Sequence, residues 1–198
     1  MHRQINTLME ATEYIDHRFE KAVYAGEIIS GKEFESCTFK NCDFSNSQFL
    51  KNKFLDCTFE NCNLSMMKLA GSTLSNAGFS DCKLLGIIFS ECQDFLFSVG
   101  FKNCILDYSS FFGKKLPKTK FIHSSLKEVN FTQANLSGAV FDLSDLSGTI
   151  FNDTDLREAN FVTAFNYSFD PEFNLLRKAS FSADGIGGLL TKYEIKIV

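Results

Sequence analysis

Large apolar residues recur at every fifth position over most of this chain, a spacing that neither a helix (3.6) nor a strand (2) produces. From Phe34 the steps run Phe39, Phe44, Phe49, Phe54, Phe59, Leu64, Leu69, Leu74, Phe79, Leu84 and Phe89, and backwards through Ile29 and Tyr24 to Phe19. A second series starts at Leu96 and alternates Phe and Leu through Phe101, Leu106 and Phe111 to Phe161. The two registers differ by two residues, which places a small insertion within 91–98. Asp94 is the next centre of the first register. Burying it would be costly, so a bulge or small loop is expected there.

The residue two before most centres is small: Cys37, Cys42, Ser47, Cys57, Cys62, Ser72, Ala77, and later Ser109, Ser124, Ala134, Ala139 and Ser144. Side chains two apart on an extended chain point the same way. Each pentad therefore reads as a very short strand with a small and a large residue inward, followed by a corner. Such a unit cannot bury its own apolar face and must stack on copies of itself. The strict Leu/Phe alternation of the second series gives a period of ten, so each coil has an even number of sides. Four sides align Phe101, Phe121, Phe141 and Phe161 along one wall and Phe111, Phe131 and Phe151 along the opposite one. Rings one coil apart then lie ~4.8 Å from each other, within reach of offset stacking.

The segments Ala134-Asn135-Leu136, Ser144-Asp145-Leu146, Thr154-Asp155-Leu156 and Ala159-Asn160-Phe161 match A(D/N)Lxx, and the chain resembles the pentapeptide-repeat family. The resemblance implies an all-β fold, a right-handed quadrilateral parallel β-helix over 19–167. Residues 1–18 are expected to cap one end. Residues 168–198 are expected to form a short α-helical cap and dimerisation segment.

All seven cysteines (Cys37, Cys42, Cys57, Cys62, Cys82, Cys92 and Cys104) occupy the small inward position. Their spacing is that of the repeat, so they read as buried thiols and not as metal ligands. His123 falls at an outward corner, and no acid is placed by sequence to orient it. None of the nucleophile, phosphate-loop or metal-protease motifs occurs. The chain is expected to be no enzyme and to hold no cofactor, metal or small molecule. The early charges Glu10, Glu13, Asp16, Arg18 and Glu20 interrupt any apolar signal core. No apolar run approaches the ~18 residues of a membrane span. The expectation is a cytoplasmic protein with no membrane contact.

Charge is uneven along the chain. Lys114, Lys115, Lys118, Lys120 and Lys127 form a basic stretch. Asp142, Asp145, Asp153, Asp155 and Glu158 follow as an acidic one, broken by Arg157. Lys114 falls at an inward position. Buried unpaired lysines are rare, so its side chain is expected to swing outward. Net charge is −4, which argues against direct nucleic-acid binding.

After Asn166 the pentads stop. Asp170-Pro171 reads as a helix start, with Asp as N-cap and Pro at the first helical position. Phe173 and Leu176, with Leu175 beside them, make an apolar face on it. Ser182 could cap a second segment carrying Ile186, Leu189 and Leu190. Tyr193–Val198 could be a terminal strand. A rod followed by Asp-Pro, Phe181-Ser182 and a Leu-Leu segment resembles the Qnr, MfpA and AlbG group. That resemblance implies end-to-end homodimers through Phe173, Leu176, Phe181, Ile186, Leu189, Leu190 and Ile195. It also implies an acidic surface that imitates DNA in DNA gyrase or topoisomerase IV and shields the enzyme from quinolone-type poisons. Two readings stay open: such a topoisomerase-binding DNA mimic, facing its partner with the five acids above, or a protein–protein interaction module with another partner.

Overall fold

Residues twenty apart in sequence lie side by side. In the computed structural model, which describes residues 10–196, Phe39 pairs in register with Phe19 below and Phe59 above, and the strands run parallel. Twenty residues are four pentads, so each coil has four walls. Wall 1 carries a nine-stranded sheet from Arg18–Glu20 to Ser180–Phe181. Its inward column is Phe19, Phe39, Phe59, Phe79, Phe101, Phe121, Phe141, Phe161 and Phe181. Successive ring centroids are 4.7–5.4 Å apart with planes within 20°. At ~4.8 Å per rung the column is roughly 38 Å long.

Phe89, Phe111, Phe131 and Phe151 stack at 4.5–5.5 Å on wall 3. From Phe101 to Phe161 the two columns meet edge to face at 5.6–6.2 Å. Ring edges are positive and faces negative, so stacking within a column and T-contacts between columns both suit the ring quadrupole. Walls 2 and 4 are filled mainly by leucines, including Leu64, Leu84, Leu106, Leu116, Leu126, Leu136, Leu146 and Leu156, all buried.

The small inward residues also tie the coils together. Ser72 Oγ donates to the Phe49 carbonyl (2.8 Å) and accepts from Asn52 N (3.0 Å). Cysteine fills the same role at sulfur distances: Cys62 Sγ donates to the Phe39 carbonyl (3.3 Å) and accepts from Cys42 N (3.4 Å). The buried polar atoms of these residues are thus satisfied. All seven thiols are free and buried, and burial pushes Cys57 and Cys92 up to about 12.

The second residue after each centre is the corner, and corners take the left-handed backbone. Asn41, Lys51, Met66, Tyr108, His123 and Leu143 all have φ between +48° and +61°. Gly86 is a corner with φ +67°, and a Cβ there would stand 2.5 Å from Met66 Sδ. The corner therefore selects glycine and asparagine for backbone reasons, which the pentad pattern alone does not display.

The insertion lies on wall 4. Gln93 N bonds to the Ser72 carbonyl and Ser98 N to the Leu74 carbonyl, so the extra residues bulge between them. Leu96 does not open the second register as its spacing suggests. It sits at a left-handed corner and is exposed, and Phe97 takes the inward place. Lys114 is also not swung outward. Its side chain is buried, and Nζ donates to the Cys92 carbonyl (2.5 Å) and to Asp94 Oδ1 (2.6 Å), 5.0 Å from the Phe97 ring centroid. The bulge frees a carbonyl and supplies a carboxylate, and together they hold the ammonium.

Both ends differ from expectation. Residues 1–9 and 197–198, part of the expected caps, lie outside the described residues. The solenoid has already begun at Glu13–Ile15, paired with Glu33–Glu35, inside the segment expected to be a separate cap. It also runs beyond 167: Asn174–Leu175 pairs with Thr154–Asp155, and Ser180–Phe181 with Asn160–Phe161. The expected α-helical cap is instead a set of 3-10 turns at Pro171–Phe173, Ile186–Leu189 and Thr191–Tyr193. The last of these occupies the start of the expected terminal strand. Within the second turn the Gly188 backbone packs onto Tyr167, where a Cβ would lie 2.0 Å from the carbonyl oxygen. Its own carbonyl accepts from Phe169 N at 3.1 Å. Among the described residues no helix is long and apolar enough to cross a membrane.

Candidate interaction surfaces

An outward side chain shares its wall with its own pentad and with residues one coil away, not with the pentads before and after it. The five candidate acids span little more than three walls of sequence, so the fold spreads them around the rod. Asp142 follows Phe141 on wall 1, Asp145 precedes Leu146 on wall 2, and Asp153 is the corner after wall 3. Asp155 is on wall 4, and Glu158 is the corner after it. No single wall collects them. The basic stretch is divided in the same way: Lys115 on wall 4, Lys118 at its corner, Lys120 on wall 1 and Lys127 on wall 2.

Several of these acids hold the coil itself. Asp145 Oδ1 accepts from Ser147 N (3.1 Å) and Oγ (2.6 Å) and from Asn166 Nδ2 (2.9 Å), and Lys127 Nζ is 3.4 Å from Oδ2. Burial raises its pKa, and the hydrogen bonds from Ser147 and Asn166, with Lys127, outweigh burial and leave it below the usual carboxylate range. Asp155 accepts two bonds from the Arg157 guanidinium (2.8 and 2.6 Å) and one from Arg157 N (3.2 Å). Arg157 likewise holds its carboxyl below the ordinary range. Asp142 accepts from Thr163 Oγ1 at 2.7 Å. Asp153 and Glu158 remain exposed corner residues, with Lys178 Nζ 3.9 Å from Glu158.

The bond in which the backbone N–H after the centre donates to an Asp or Asn Oδ1 before it recurs at Asp43, Asn63, Asn130, Asn135 and Asn160. It is an Asx turn that holds the start of the corner, and it gives the D/N of the repeat a structural task. The A(D/N)Lxx spacing carried that signal, which a reading of these residues as surface charge misses.

The C-terminal candidates divide by burial. Phe173, Ile186 and Ile195 are exposed; Leu176, Phe181 and Leu190 are half-buried. Leu189 is buried within the protein's own core. Asp170 caps the Pro171 turn, accepting from Glu172 N at 2.9 Å, and Lys192 Nζ pairs with it at 3.0 Å.

Sequence profiles described as pentapeptide repeat region and pentapeptide repeats (8 copies) match residues 32–111 and 124–161. The chain belongs to the pentapeptide-repeat family. Among solved structures this pentapeptide-repeat protein is similar to a trypsin-treated variant of QnrB1, described as a plasmid-mediated fluoroquinolone resistance protein. Identity is 18%, TM-score 0.62, and the match covers 95% of this chain and 98% of that one. Full-length QnrB1 matches at 17% identity and TM-score 0.58, over 92% of this chain and 100% of that one. At such identities the likeness is one of fold. No curated protein sequence matches the chain.

Proposed function

We propose that this pentapeptide-repeat protein is a non-enzymatic binding rod whose partner is a type II topoisomerase, DNA gyrase or topoisomerase IV, which it modulates or protects from quinolone-type poisons. The observation that carries the reading is the end-to-end likeness to QnrB1, which spans nearly the whole of both chains. A second copy joined through Phe173, Ile186 and Ile195 doubles the rod. The partner sees protein and not bound nucleic acid. The test is a gyrase supercoiling titration with and without ciprofloxacin, beside binding measured at low and high salt. Protection, with binding that weakens as salt rises, is the expected result. Absence of both binding at low salt and any effect on supercoiling overturns the reading. For the end contact, Ile186→Asp with Ile195→Asp is the informative variant, since Leu189 supports its own chain.

A second reading, an interaction module for another protein, is favoured by the acids. They circle one coil instead of lining one wall, and Asp145 and Asp155 are tied to the rod's own backbone.

A further inference from the structure

Wall 4 is divided into two halves of opposite charge around an apolar bulge. Its rungs rise in register from Glu13 through Glu33 and Lys53 to Thr73, then, past the bulge, from Lys115 through Asn135 and Asp155 to Leu175. Four rungs therefore lie on each side of residues 93–98. Among the described residues the lower half carries Glu13, Asp16, Glu33, Glu35 and Asp56 against one exposed lysine, Lys53, which pairs with Glu33 at 2.8 Å. Lys32 is half-buried, with Nζ turned onto the carbonyls of Glu10 and Ala11. The upper half carries Lys115, Lys118, Arg157, Arg177 and Lys178 against Asp155 and Glu158. Between them Phe95 and Leu96 project, 77% and 58% exposed. Asp94 beside them is neutralised by Lys114, so the centre of the wall is apolar and carries no net charge.

We propose that wall 4 is the contact between two copies of this chain lying side by side and antiparallel. A two-fold axis through the bulge lays the acidic half of one copy on the basic half of the other. The rung of Glu13 and Asp16 then faces that of Arg177 and Lys178, twice over, and Phe95 and Leu96 meet their own counterparts at the axis. An isologous contact needs such a self-complementary surface. A parallel pairing sets the acidic half against its like and the basic half against its like. The wall is one pentad wide, so the contact belongs to the small class below about 1,200 Å², and its exposed charges make it sensitive to salt. It is distinct from the end-to-end contact proposed above, which is apolar and uses Phe173, Ile186 and Ile195.

Sedimentation equilibrium of the full chain tests the pairing. From about 500 mM to about 50 mM NaCl the mass should double, with association tightening about tenfold or more. The variants Glu13→Lys with Asp16→Lys, and Arg177→Glu with Lys178→Glu, should each lose that step while keeping their circular dichroism. Mixing the two should restore it, because each repelling end then meets its opposite. Phe95→Ser with Leu96→Ser should weaken it at any salt. A mass that does not change with salt, a step that survives either charge variant, or no recovery on mixing overturns the proposal. The end contact fails separately: its loss lowers the mass at high salt and leaves the salt step and the mixing result in place.

Discussion

Lys114 Nζ lies 2.6 Å from Asp94 Oδ1, joining the first pentad register to the second across one coil. The lysine side chain is only 2% exposed and the aspartate 80%, so the buried partner depends on the exposed one.

That asymmetry predicts an order of costs. Asp94→Ala leaves the buried ammonium with the Cys92 carbonyl alone, a loss that lies above a surface pair at about 0–1 kcal/mol and approaches that of a broken buried pair, about 3 kcal/mol. Lys114→Met leaves only the Cys92 carbonyl unpaired and costs about 1–2 kcal/mol. Thermal melts resolve the two, at about 2–4 °C per kcal/mol for this size. Equal losses, or a larger loss from Lys114→Met, would contradict the account.

The left-handed corners predict mutations of opposite sign. Leu143, at φ +50°, should gain up to about 1 kcal/mol as Leu143→Gly, the relief of a β-carbon in that region less the entropy of glycine. Gly86→Ala should lose stability, because at φ +67° a Cβ is strained and the exposed Met66 side chain must also swing aside. Urea midpoints for the two variants should move apart, with wild type between them.

The nine-ring column predicts a gradient. Phe121 is fully buried between Phe101 and Phe141, and Phe121→Ala should cost about 3–5 kcal/mol. Phe181, half-buried at the end of the column, should cost clearly less. Calorimetry would refute a cooperative column if Phe181→Ala were the worse variant.

Cys57 and Cys92 hold their protons to about 12 in the folded chain, against about 9 for an unperturbed thiol. Above the unfolded value the denatured state loses protons that the native state keeps. Stability is therefore whole below pH ~9 and falls as pH rises through that window, by about 1.4 kcal/mol per pH unit for each such thiol. Cys57→Ala with Cys92→Ala should flatten the alkaline limb of a stability–pH curve measured under reducing conditions. An unchanged slope would show that other groups set it.

The pentad pattern sufficed for the number of walls, the inward residues and the stacked phenylalanines, because five-residue spacing and Leu/Phe alternation are local properties that repetition turns into a tube. It also held the sign of the insertion, but not the choice of Phe97 over Leu96, which depends on what the neighbouring coil leaves open. The buried place of Lys114 has the same cause: its partners, the Cys92 carbonyl and Asp94, lie twenty or more residues back. The acids from Asp142 to Glu158 form a band only in sequence. Each pentad turns the chain onto the next wall, so neighbours in sequence part company and residues twenty apart become neighbours. Coiling in three dimensions was needed to settle which charges share a surface, which terminal leucine is core, and that wall 4 is acidic below its bulge and basic above it.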